Sequence, residues 1–161
     1  MTIRRVLSGS LLALMLTLGV ALAKPASQSS KEEKIPLCKG NPTLVGECFT
    51  VHGRMSFYNG THNVRIWPIG THRLLGVEYV PGSIDNPTEE HPDGVYWMPI
   101  ALSKISTFGL EIYGDFDVCP LAKKRKGAMQ FVCVESAKHL IVKDYNKNPI
   151  RVYKIHDATS H

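Results

Sequence analysis

After residue 23 the 161-residue chain has no apolar run long enough to cross a bilayer, and no cysteine follows its first apolar segment as a lipid-attachment site. It also lacks the G-x-S-x-G, H-E-x-x-H and P-loop motifs of well-known catalytic and nucleotide-binding sites. Hydrophobic residues form 43% of the chain and charged residues 20%, which is ordinary for a globular protein. The composition therefore excludes disordered, collagenous and coiled-coil chains and predicts one globular domain.

The chain has little net charge. Its 19 basic and 14 acidic residues give +5, and without Arg4 and Arg5, which belong to a removable N-terminal segment, the balance is 17 against 14, or +3. A charge this small gives no support for a nucleic-acid partner. We therefore disfavour nucleic acid as the ligand.

The N-terminus has the pattern of an export signal. Residues 1–23 contain a basic start, an apolar stretch from Val6 to Val20 and the cleavage signature Ala21-Leu22-Ala23. The alternative is an uncleaved anchor, because the 18 residues from Val6 to Ala23 could just span a bilayer. Residues 24–34 are mostly Ser, Lys and Glu, which predicts a flexible tail. We expect residues 35–161 to form a single mainly-β domain in the periplasm or outside the cell.

The cysteines support export, since all four follow the signal segment and their number is even. Spacing favours the pairs Cys38–Cys48 and Cys119–Cys133, because each pair flanks a turn-rich centre. Neither spacing resembles a C-x2-C zinc site. We therefore expect two structural disulfides and no metal.

The first part of the domain predicts a three-stranded meander over residues 48–80. Apolar and polar residues alternate strictly from Cys48 to Phe57, and the following Asn59-Gly60 favours a two-residue hairpin turn. In that register Met55 faces Val64 on the apolar side. A second turn at Gly70-Thr71 returns residues 73–80 as the third strand.

The rest of the chain predicts a long irregular loop, a short helix and further strands. These segments are the loop 81–98, the helical segment 100–108, the strands 110–118 and 129–135, and two β-rich pieces at 140–142 and 150–153. Both Asp117 and Glu135 lie on strands, and pairing of Cys119 with Cys133 would place these two carboxylates opposite one another as a possible catalytic pair.

This order resembles the OB-fold, a five-stranded Greek-key barrel with a helix between its third and fourth strands. The resemblance covers residues 47–143 and includes Gly53, Gly76 and Gly114, which could mark strongly curved strands. The segments 48–54 and 113–120 are also similar in style to small exported bacterial proteins, a likeness that implies no activity. The alternatives are another small barrel or a sandwich.

The resemblance implies a ligand face on the second and third strands, where an aromatic residue stacks and basic groups bind the ligand. In the predicted register this outer face groups His52, Arg54, Arg65 and Trp67. The alternative is that Trp67 packs with Leu74 in a small apolar cluster beneath the C-terminal segment.

The densest charge run is Lys123, Lys124, Arg125 and Lys126, which could bind an anionic polymer or surface. The alternative is an ordinary solvated turn. Histidine is abundant, but its spacing matches no ligand set, and only the acidic loop 89–93 suggests a weak metal contact.

The sequence thus predicts a non-enzymatic exported binding or envelope-associated module without a cofactor. Its ligand would be an extended anionic polymer, a carbohydrate or a protein partner, with the loop 81–98 as a possible lid. Two alternatives remain: a small hydrolase or lyase that uses loop carboxylates, and a structural or inhibitory protein. We expect no catalytic residue and no stable membrane insertion after cleavage.

Overall fold

The computed structural model describes residues 35–60, 63–85 and 94–159. These residues form seven strands and one short helix, in the order β1 Phe49–Phe57, β2 Val64–Pro68, β3 Leu75–Val77, α1 Ile100–Ser103, β4 Leu110–Pro120, β5 Gln130–Asp144, β6 Arg151–Lys154 and β7 Ala158–Thr159. No described helix is long and apolar enough to cross a membrane.

Five of the strands pair in a closed ring. Strand β1 is antiparallel to both β2 and β4, β2 is antiparallel to β3, and β4 is antiparallel to β5. The ring closes because β3 runs parallel to the first residues of β5. Helix α1 lies between β3 and β4 in the chain. This barrel-like arrangement confirms the mainly-β, five-stranded prediction with a short helix between the third and fourth strands.

Strand β5 also pairs outside the ring, with β6 through residues 141–144 and with β7 through residues 136–137. The predicted strand pieces at 129–135 and 140–142 are therefore parts of one long strand. Irregularities between Tyr113 and Asp115 and between Asp117 and Val118 shift its register against β4. His139 lies within this irregular stretch and has φ 53°, a conformation that is uncommon outside glycine.

Alternation of residue type explains the core. On β4, Ile112, Phe116 and Val118 are buried, while the intervening Glu111 and Asp115 lie on the outer side. Met55 of β1 and Leu102 of α1 join the same apolar cluster. Full burial of a side chain such as Phe116 contributes roughly 1.5–3 kcal/mol.

Two paired glycines on β1 and β4 lie where the neighbouring strands leave little room for a side chain. Gly53 and Gly114 are direct partners in the ladder. A Cβ atom on Gly114 would lie 2.6 Å from Leu140 Cδ2 and 2.7 Å from the Lys138 carbonyl oxygen. Glycine is required here because neighbouring backbone approaches too closely for a side chain.

The register of the first hairpin differs from the prediction by two residues. Met55 pairs with Ile66 rather than Val64, because the connection extends from Tyr58 to Asn63 instead of turning at two residues. A shift of two preserves the inner and outer faces, and so the predicted core face is confirmed. The predicted third strand also pairs with the second, with Ile66 opposite Leu75.

The disulfides join distant parts of the chain, and the predicted local pairs are wrong. The bonds are Cys38–Cys133 and Cys48–Cys119. Phe49 pairs with Val118 in the β1–β4 ladder, and so the same register brings Cys48 beside Cys119. Cys133 then bonds to the segment before β1. Sequence spacing missed this pairing because strand register, rather than loop length, decides which cysteines meet.

The described parts of the segment 81–98 approach β3. Tyr79 forms a bridge with Tyr96, and Ser83 Oγ donates to the Val80 carbonyl oxygen at 2.7 Å. Predictions on residues 1–34 and on the acidic loop 89–93 lie outside the described residues.

Candidate ligand-binding site

The four residues predicted as a ligand face do not form one group. Arg54 faces Trp67 across the β1–β2 ladder, with its guanidinium carbon 5.9 Å from the indole centroid. Arg65 lies instead over the Tyr58 ring at 5.0 Å. His52 turns to the opposite neighbour, β4, where its Nδ1 lies 2.8 Å from Asp115. The two-residue shift of the hairpin causes this separation.

Trp67 is exposed rather than part of the core. The residue is 44% exposed, and its Nε1 donates to the Thr71 carbonyl oxygen at 3.2 Å. The alternative that Trp67 lies in a covered apolar cluster with Leu74 is not supported. The other indole, Trp97, is buried and donates to the Pro36 carbonyl oxygen at 2.7 Å.

The positive charge of Arg54 is already paired. Arg54 donates to Glu111 Oε1 at 2.8 Å, while the hydroxyls of Tyr113 and Tyr145 donate to Oε2 of the same carboxylate at 2.8 and 3.1 Å. Burial and the bond to Glu111 raise the pKa of Tyr113, and the bond to Glu111 raises the pKa of Tyr145. These groups form a closed network around one carboxylate, which leaves little charge for an anionic ligand.

A second network surrounds Asp115. Its two oxygens each accept a hydrogen bond of 2.8 Å, one from His139 Nδ1 and one from His52 Nδ1. These bonds, the first from His139, lower the pKa of the Asp115 carboxyl. The backbone N–H of His139 donates to Asp157 at 2.9 Å, which helps to hold its unusual conformation.

Asp117 and Glu135 do not form a catalytic pair. Cys119 and Cys133 are ladder partners, as the prediction assumed, but the irregularity beside them places Asp117 opposite Ser136. Asp117 accepts from Lys39 Nζ at 3.0 Å, and Glu135 accepts the backbone N–H of Cys38 at 2.8 Å. Both carboxylates therefore fix the segment before β1 against the ring.

Three of the four predicted basic-loop residues line a groove with the β2–β3 connection. This feature, the basic groove, has a volume of about 340 Å³, and its charged or ionisable lining residues are His72, Arg73, Lys124, Arg125 and Lys126. Lys123 is exposed but is not part of its lining. Among the described residues no carboxylate lines the groove. Four fixed positive charges thus face one small volume.

The closing of the ring explains why these loops meet. Leu75 of β3 pairs with Gln130 of β5, and the Gln130 N–H donates to the Leu74 carbonyl oxygen at 3.0 Å. The residues just before β3 therefore lie beside those just before β5. Sequence reasoning missed His72, Arg73 and Gln130, because only this parallel pairing brings them to the basic loop. The residues Gly70-Thr71 predict the turn itself, but they do not indicate which distant strand will lie beside the strand that follows.

Arg73 is held in a fixed orientation in the groove. Its guanidinium donates to Gln130 Oε1 at 2.9 Å and lies 5.2 Å from the centroid of the Phe49 ring. Gln130 is buried, and its amide donates to the Ala122 carbonyl oxygen at 3.0 Å. Both ends of the Gln130 amide are therefore used, which fixes the acceptor that Arg73 contacts.

Among the described residues, the sulfurs of Cys38, Cys119 and Cys133 are the one set of three metal-ligand atoms that lie within 4.8 Å of one another. All three cysteines are disulfide-bonded. A thiolate is the form that binds metal, and so this cluster does not serve as a metal site.

No protein-family model, curated protein or solved structure matches this chain.

Proposed function

We propose that this protein is an exported, non-enzymatic binding module that takes an extended anionic ligand in the basic groove. The observation that carries the proposal is the concentration of Arg73, Lys124, Arg125 and Lys126 around one groove whose described lining includes no carboxylate. Like charges that converge without a partner create a positive potential, which attracts an anionic chain.

The basic groove is a better candidate for the site of an anionic ligand than the surface around Trp67. Arg54, the cation nearest Trp67, is already paired with Glu111 at 2.8 Å. By contrast, no carboxylate of the described residues pairs with the lysines of the basic loop. Trp67 also contacts a residue next to the groove. Its Nε1 donates to the carbonyl oxygen of Thr71, which precedes the lining residue His72 in the chain. We therefore assign Trp67 to the margin of the ligand site.

The fold resemblance and the disulfides agree with this assignment. OB-folds bind extended polymers with their strands two and three and with the loop between strands four and five, and the basic loop occupies that last position. The two disulfides are compatible with an exported protein, since such bonds persist in oxidising compartments. Location in the periplasm or outside the cell is part of the proposal.

The test is the binding of polyanions to the oxidised protein. Fluorescence anisotropy would measure the affinities of labelled heparin, oligogalacturonate and single-stranded oligonucleotide at 50 and 200 mM salt. We expect saturable binding of at least one polyanion that weakens as salt rises, because each neutralised charge releases counterions. Lys124→Glu with Lys126→Glu should weaken binding by roughly tenfold or more, since both charges are reversed.

The matched control is Lys147→Glu with Lys154→Glu, which makes the same charge change at exposed sites outside the groove. It should alter affinity less than about threefold, the long-range effect of net charge. Equal losses in the two double variants would show that net charge alone acts, and absence of binding to every polyanion at 50 mM salt would overturn the proposal. Either result would leave a protein partner as the better function.

A further inference from the structure

We infer that Arg73 selects sulfate or phosphate esters over carboxylates on an extended polysaccharide. This inference rests on the proposed function and specifies which charged groups of the ligand the basic groove recognises. The observation behind it is the fixed guanidinium of Arg73, which differs from the exposed lysines that share the groove.

The orientation of Arg73 is set by three contacts. The Phe49 ring lies 5.2 Å from its guanidinium carbon, Gln130 Oε1 accepts one N–H at 2.9 Å, and the backbone N–H of Arg73 donates to Thr71 Oγ1 at 3.1 Å. A planar guanidinium that is held on an aromatic face presents its remaining N–H groups in a fixed fork. The loss of side-chain entropy on binding is then small for Arg73.

The environment of this fork favours a tetrahedral anion. A carboxylate carries two oxygens in one plane, and a bidentate bond to arginine engages both from one side, so that any further donor must lie close to that plane. A sulfate or phosphate ester has further oxygens, which can accept from another donor at the same time. Lys124, Lys126 and His72 line the same groove of about 340 Å³ and can supply that donor. The groove can therefore satisfy a tetrahedral ester more completely than a carboxylate.

A polysaccharide fits the groove better than a nucleic acid does. Single-stranded nucleic acids bind through bases that stack on a series of aromatic side chains. The described lining of the groove contains one aromatic side chain, His72, rather than a series, and the ring of Phe49 is engaged with Arg73. Recognition here depends on the charged substituents, which suits a sugar chain with sulfate or phosphate esters.

The test compares ligand classes in wild type and Arg73→Lys, a variant that keeps the charge and removes the fork. The probes are a heparin octasaccharide for sulfate, a phosphomannan fragment for phosphate and a size-matched oligogalacturonate for carboxylate. We expect wild type to prefer at least one ester ligand over oligogalacturonate, and Arg73→Lys to reduce that preference roughly tenfold. Lys147→Arg, at an exposed site outside the groove, is the matched control, since it also exchanges lysine and arginine without a change of charge, and it should leave the preference unchanged.

A second variant keeps the test valid if Arg73→Lys is poorly folded. Phe49→Leu retains Arg73 but removes the aromatic face that orients it, and it should also reduce the preference. The heparin and phosphomannan arms tell which ester is bound. An equal loss of affinity for esters and carboxylates in Arg73→Lys would overturn the inference while the proposed function stands. Tighter binding of an oligonucleotide of equal charge than of either ester polysaccharide would also overturn it. Absence of binding of every polyanion to the wild-type protein would refute the proposed function itself.

Discussion

Asp115 couples three strand segments through one carboxylate. It lies on β4, and its oxygens accept from His52 on β1 and His139 on β5 at 2.8 Å each. These bonds lower its pKa in the folded protein. Because the folded pKa is below the unfolded value of about 3.9, ionised Asp115 stabilises the fold above that pH, and the contribution is lost as the pH falls through the folded pKa.

Asp115→Asn should therefore flatten the acid limb of stability. We expect wild type to exceed this variant in free energy of unfolding at pH 5, and the difference to shrink as the pH falls toward 2. Urea titrations at several pH values would measure it. The effect is small in energy, since both histidines are well exposed to solvent.

Asp85→Asn serves as the control, because Asp85 is an exposed carboxylate on the loop after β3. A difference between wild type and Asp115→Asn that stays constant from pH 5 to pH 2 would contradict the coupling. Such a result would mean that the carboxylate contributes no proton-linked stability.

At the scale of elements, the close approach of β4 and β5 depends on the absence of a side chain at Gly114. We expect Gly114→Ala to destabilise the protein by about 1–3 kcal/mol or more, because the added methyl meets Leu140 and the Lys138 backbone. Gly46→Ala is the matched control, since its Cβ would lie at an ordinary 3.5 Å from Pro120 Cγ and should change stability by less than about 0.5 kcal/mol. Urea unfolding of both variants would compare them, and equal stabilities would refute the close approach.

Strand faces could be predicted, but strand offsets could not. The period of two in β1 and β4 identifies Met55 and Phe116 as core residues whatever the pairing. The offset between β1 and β2 depends on the length of the connection, and Asn59-Gly60 gave a turn signal that the fold uses within a longer loop. The observed offset, which differs from the prediction by two residues, leaves the same residues in the core but separates the residues that were predicted to cluster around Trp67.

At the scale of the whole molecule, the two disulfides link residues that are 95 and 71 positions apart. Loops of this length predict a large reduction in the entropy of the unfolded chain. We expect Cys38→Ser with Cys133→Ser, and Cys48→Ser with Cys119→Ser, each to lower the free energy of unfolding by about 2–5 kcal/mol. Dithiothreitol should likewise lower the thermal midpoint of wild type.

Peptide mapping of the non-reduced protein checks the connectivity directly. The expected fragments join Cys38 to Cys133 and Cys48 to Cys119. A fragment that joins Cys38 to Cys48 would contradict the structure. A thermal midpoint that does not respond to reduction would show that the bonds add no stability.

The order of strands and the short helix could be read from the sequence, since alternation and turn residues are local signals. The cysteine pairs and the basic groove could not, because both depend on which distant segments become neighbours. Arg73 reaches Gln130 only after β3 has paired with β5. Local patterns therefore predict the strands and loops that contribute to the site, but they do not predict that these segments lie side by side.

The parallel pairing of β3 with β5 also has a consequence for how the chain folds. Leu75 pairs with Gln130, and so β4 and the first residues of β5 must be in place before the ring closes. Contacts between such distant residues slow folding, because the chain loses the conformational entropy of a long loop before the stabilising contacts form. Until then β3 and β4 present open edges that can pair with other chains. The last ring strand, rather than the first hairpin, therefore sets the time during which the protein is prone to aggregate.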